Sequence, residues 1–288
     1  MSQTSLSPAR EHALRRLLDD PAPKVRDAVR QELQRHGAAG VAFLQRVLTE
    51  PATATDAAAA RDLMAELAAP EPAEAFARFI TSLEYELETG LLLLNRVAEP
   101  ALDVVLIHRQ LDVMARRVTE LAPAPASPRE TCRALNRVLF HEYGLRGNAE
   151  AYEDPRNSFL SSVLERQRGL PLTLCALYIM VAQRVGLELE PVGLPDHFLV
   201  GCYAEDEPFF IDAFAQGRFL TPDQLVEPSD VAPLLDPAPL PMPTPVGEVL
   251  ARACRNLVRH YTSAGQPERA RLFARFVRMF AETHQPRP

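Results

Sequence analysis

The chain has 288 residues, 47% of them hydrophobic and 24% charged, the balance of a chain that folds around a buried core. Its net charge of −7 speaks against general nucleic-acid binding, because phosphate contact needs a basic footprint. The longest apolar run, around residues 172–182, is about half of the ~20 residues that a bilayer span takes, and MSQTSLSPAREHAL at the start has no apolar signal core, so a cytoplasmic protein with no membrane partner is expected.

In chain order, residues 9–48 read as two or three short helices. Leu14, Leu17 and Leu18 form one apolar stripe, and Val25, Val29 and Leu33 form the next. DDPAP between them is a turn, with Asp20 placed to cap the second helix. The pair has the look of a single HEAT-type repeat, too little for a solenoid. Residues 56–120 continue helical, with apolar residues at three- and four-residue spacing. LAPAPASP at 121–128 is a stiff linker, and ETCRALNRVLFHEYG reads as one amphipathic helix ending at Gly144.

From residue 150 the pattern changes. RGLPLTLCALYIMVAQRVGL (168–187) predicts a helix that is apolar almost all round and therefore buried. Three candidate strands follow, at 189–194, 197–203 and 208–214, the last two joined by the polar turn AEDEP. The segment 226–246 holds seven prolines and predicts an extended connector. The tail reads as a helix, an AGQ turn and a second helix, like one TPR-type hairpin. Cys132, Cys175, Cys202 and Cys254 lie far apart without a CxxC pair, which argues against a zinc site or a disulfide framework, and the histidines show no ligand spacing.

Three residues carry possible chemistry: Cys175 on the buried helix, His197 opening one strand and Asp212 on the next. A thiol at a helix N-terminus is acidified, a facing His can take its proton, and an Asp can orient that His. The residues YEDPRNSFLSSVLERQRGLPLTLCALYIMVAQRVGLELEPVGLPDHFLVGCY and FFIDAF resemble the transglutaminase-like core of bacterial Sir B-type proteins, which join it to TPR-type repeats. The resemblance covers about residues 130–225, with Asp196 where the family usually has Gly and Ala213 where it usually has Pro. It implies an α+β fold, mainly helical, with a papain-like core of one central helix on a small antiparallel sheet. The implied organisation is an N-terminal helical, HEAT-like region (1–120), a transglutaminase-like core (129–225), a connector (226–246) and a TPR-like hairpin (247–284).

In active members of that superfamily a G-x-C motif opens the helix about fifteen residues before its closing Gly. Counting back from Gly186 gives Pro171, so proline fills the nucleophile's slot. Cys175 lies four residues on, ~6 Å along the axis at ~1.5 Å per residue, against the ~3 Å a base must reach. A core thiol is the expectation for Cys175, and Pro171, His197 and Asp212 are the positions of a relic triad. Asn157 and Arg168 are candidates for the cleft; a turn-forming Asn157 and a solvated Arg168 beside Glu165 and Arg166 are the alternatives. The expected function is a non-catalytic, transglutaminase-like interaction scaffold that takes a protein or peptide partner and no cofactor. The rival is a thiol peptidase, amidase or transglutaminase using Cys175.

Overall fold

The computed structural model describes residues 6–68, 71–195, 197–204, 207–225 and 240–283. They fall into two compact units, Met1–Glu71 and Pro72–Pro288. The fold is α+β and mainly helical, with a small antiparallel sheet.

The first unit holds α1 (Pro8–Arg16), α2 (Pro23–Arg35), α3 (Ala38–Thr49) and α4 (Ala54–Ala68). Ser7 caps α1 ahead of Pro8, the arrangement that leaves no orphan amide at the first helical position. Leu14, Leu18, Val29, Leu33, Phe43, Leu44, Val47 and Leu63 make its core. Two details differ from the sequence reading. Leu17 is 42% exposed rather than part of the stripe, because Leu14 and Leu18, a full turn apart, already fill the inward face. Asp20 accepts the Ala22 amide at 2.8 Å within the turn, while α2 starts after Ala22 with no side-chain cap.

The second unit begins with α5 (Pro72–Ser82), α6 (Leu87–Ala98), α7 (Val104–Leu121) and α8 (Pro128–Asn136). Ser127 and Glu130 close a capping box on α8. The predicted helix through residue 144 changes at Asn136 into a π-helical turn, Arg137–Glu142, and Gly144 ends it at φ +69°. Then come β1 (Arg146–Gly147), α9 (Leu160–Arg166), β2 (Arg168–Gly169) and α10 (Pro171–Arg184), which Gly186 closes at φ +77°. Strands β3 (Glu190–Leu194), β4 (His197–Cys202), β5 (Phe209–Asp212) and β6 (Arg218–Leu220) form an antiparallel meander in that order. Strand β6, only three residues long, was too short to signal itself by alternation.

Every residue of α10 from Pro171 to Ala182 is buried. One face of the sheet (Phe198, Val200, Cys202, Phe209, Ile211) joins α10 in the main core; the other (Val192, Leu199, Phe210) has a small cluster of its own. The two faces follow from the period-two alternation of the strands. Of the predicted connector, residues 226–239 lie outside the described residues. Its end runs along the edge of β3, where the Thr244 amide donates to Pro191 O at 2.7 Å and Thr244 Oγ1 accepts from the Gly193 amide at 2.7 Å.

The chain closes with α11 (Val246–Ser263) and α12 (Pro267–Thr283), separated by Gly265 at φ +68°. This hairpin is part of the main core. Val249, Leu250, Cys254, Leu257, Phe273, Phe276 and Phe280 belong to the same cluster as α10, and Phe276 meets Phe76 of α5 edge-on at 4.9 Å. Among the described residues no helix is long and apolar enough to cross a membrane.

Candidate functional site

Helix α10 enters from Leu170 in an extended conformation, with Pro171 at its first position and no side chain capping it. One turn on, Cys175 is completely buried and donates its thiol to Phe198 O at 3.3 Å. Burial, joined by the nearby Asp212 charge, pushes this thiol far above its ordinary pKa, against a smaller opposite effect from the Ala213 amide. A thiol held neutral in that way is a poor nucleophile, since reactivity follows the thiolate.

His197 opens β4 and Asp212 closes β5. The register pairs Val200 with Ile211, so Asp212 stands opposite Leu199 and diagonal to His197 on the same face. His197 Nε2 and Asp212 Oδ2 are 2.9 Å apart, as the sequence led us to expect of adjacent strands. Asp212 Oδ1 also accepts from the Ala215 amide at 3.0 Å. Burial raises the Asp212 pKa, but hydrogen bonds from His197 and from the Ala215 and Phe214 amides outweigh it and hold the carboxyl below its usual range. With Nε2 engaged by the carboxylate, Nδ1 is the nitrogen left to act elsewhere.

His197 lines a cleft of about 70 Å³ with Pro171, Tyr152, Arg252, Asn256, Arg259 and His260. The relic positions Pro171 and His197 therefore meet at one site, with Asp212 behind the imidazole. Helix α11 supplies the far wall. Arg252 donates to Leu194 O at 2.8 Å and to His197 O at 2.9 Å, fixing the turn from β3 into β4. Arg259 pairs with Glu153 at 2.9 Å. These α11 residues are the ones the sequence reading passed over. Arg252, Asn256 and His260 recur every four residues, a polar stripe on an otherwise amphipathic helix, but nothing local says which surface that stripe meets.

Asn157 does not line the cleft. It is fully buried and donates to Ala151 O at 2.7 Å and Tyr152 O at 3.2 Å while accepting from Asn148 at 2.9 Å, so it ties down the loop that carries Tyr152 to the cleft. Arg168 sits in β2, reaches Gln167 O at 3.3 Å and is not among the lining residues. Arg166 pairs with Asp154 at 3.0 Å. Ala213 is buried, and Asp196 lies outside the described residues. Among the described residues no three His, Cys, Asp or Glu side chains gather closely enough to hold a metal ion. The arrangement can hold and polarise an imidazole in a donor-lined cleft, but it presents no thiol there.

This combination of buried helix, antiparallel meander and His–Asp dyad is the frame of a transglutaminase-like domain. Residues 106–232 match the transglutaminase-like superfamily model, and the chain carries that domain. It has homologues among proteins called UPF0162. One from Xylella fastidiosa is 34% identical over 195 residues, 62% of this chain and 66% of the relative; one from Vibrio cholerae is 27% identical over 130 residues, 45% and 48%. The chain thus spans less than two thirds of the length of these relatives. Mouse F-box only protein 21 is 35% identical over 96 residues, 31% of this chain and 15% of that protein. No solved structure matches the chain.

Proposed function

We propose that this protein is a non-catalytic transglutaminase-like protein of the Sir B-type branch, working in the cytoplasm as an interaction or regulatory scaffold for a protein or peptide, with α11 and α12 as its TPR-type unit. One observation carries the reading: Pro171 shares the cleft with His197, while Cys175 is buried behind it with its thiol bonded to Phe198 O. A base and an orienting carboxylate without a nucleophile preserve the shape of a thiol-enzyme site but supply no covalent step. The intact His197–Asp212 bond at 2.9 Å favours a second reading, a thiol peptidase, amidase or transglutaminase using Cys175.

Alkylation of the native protein with iodoacetamide separates the two. In the first reading Cys175 stays unlabelled until the protein is denatured, and no thiol-dependent amidase or acyl-transfer activity appears. The variant Pro171→Cys then gains a thiol that labels quickly, with a pKa below the free value of ~8.5 and a rate that drops in the added background of His197→Ala. Fast labelling of wild-type Cys175 that depends on His197 would establish the enzyme instead.

A further inference from the structure

The cleft's walls offer mostly donors. Arg252 spends its two hydrogen bonds on carbonyl oxygens and none on a carboxylate, so among the described residues its charge has no ion-pair partner. One turn along α11, Asn256 adds an amide. His260, one turn further, is 1% exposed, lines the same cleft, and has its Nδ1 buried without a hydrogen-bond partner among the described residues. An orphaned nitrogen at that depth is costly and points to an absent partner. Across the cleft, the 14-residue α10 starts with no capping side chain. The unsatisfied first-turn amides and the helix dipole favour negative charge at such an end. Two described carboxylates nearby are already engaged: Asp212 by His197 and a backbone amide, Glu153 by Arg259.

We propose that this cleft binds a carboxylate group, held between the α10 N-terminus and Arg252, Asn256 and His260 Nδ1. The inference builds on the non-catalytic reading, in which the space before Pro171 receives a ligand rather than a scissile bond. At about 70 Å³ the space has room for a group the size of a carboxylate. The group would come from the C-terminus of a peptide or from a small free acid.

The test uses the 288-residue chain carrying ¹⁵N-labelled histidine. Sodium acetate is titrated against sodium chloride at constant ionic strength, and the imidazole resonances are followed by NMR. Acetate should shift His260 saturably, with a Kd on the order of 1–10 mM, while chloride does not. Asn256→Asp, which sets a like charge against the ligand, should weaken acetate at least about tenfold; Arg259→Gln is the second variant, expected to weaken it about threefold, should the first not fold. A peptide with a free C-terminus is then compared with its amide. Free-acid binding about tenfold tighter than acetate assigns a peptide terminus; no gain over acetate assigns a small acid. Absence of a saturable His260 shift with acetate and with the free-acid peptide, or unchanged affinity in the variants, overturns the carboxylate site. If Cys175 is still unreactive in that case, only this inference falls; a reactive Cys175 would remove the reading beneath it.

Discussion

Cys175 is a buried donor as much as a core filler, and that changes what its replacement should do. In Cys175→Ser the hydroxyl meets an acceptor already in place, Phe198 O, so it does not go unpaired as an apolar helix alone would suggest. Cys175→Ala loses both the contact and volume and should cost about 1–2 kcal/mol, with serine no worse; urea melts of the two variants check the order. His260 gives a pH signature. Burial, helped by the Arg259 charge, lowers its pKa below the ordinary 6.5. Below about pH 6.5 the unfolded chain therefore binds the proton that the fold refuses, and stability should fall with acidification until the lowered pKa is passed. His260→Gln should flatten that slope between pH 7 and 5 in thermal melts; an unchanged slope would place the effect elsewhere. Asp212 works at lower pH. Its depressed pKa stabilises the fold above the ordinary carboxylate range and ceases to do so as pH drops through the folded value. The stability gap between wild type and Asp212→Asn should accordingly be widest near neutrality and close below about pH 4.

At the scale of elements, two close approaches hold the site together. Gly90 of α6 lies so near α11 that a Cβ there would fall 2.5 Å from Leu250 Cδ1. Gly90→Ala should cost about 1–3 kcal/mol by overpacking and, by pushing α11 away, raise deuterium exchange in β4; a neutral melt would show that Leu250 yields freely. Thr244 bonds both ways with the β3 edge, which otherwise offers unpaired backbone groups. Helix α10 was legible from its all-round apolar sequence, its opening proline and its closing glycine. The break at Asn136 was not: its side chain donates to Gly217 O at 2.7 Å and accepts from Tyr178 at 3.0 Å, partners far along the chain. Local periodicity holds no trace of bonds across 81 residues.

For the molecule as a whole, the units Met1–Glu71 and Pro72–Pro288 each have their own core, so a fragment from residue 72 onward should unfold cooperatively and keep the His197–Asp212 contact. Removing α11 and α12 should have the opposite result. Leu257, Phe273 and Phe276 would leave the main core and Phe76 would lose its edge-on partner, which predicts a fragment with molten-globule character by near-UV circular dichroism. Retained near-UV signal would mean that the hairpin is an appended module after all.

The sequence by itself determined the buried helix, the strands that carry His197 and Asp212, and the proline at the head of α10. Each of these is written in short-range pattern: all-round apolarity, alternation, and the punctuation of Pro and Gly. Only the tertiary structure decided what faces His197. Arg252 bonds to the His197 carbonyl across 55 residues, a pairing that no local pattern announces. A polar stripe on α11 reads as a solvated face until packing turns it inward, and packing is a property of the whole chain.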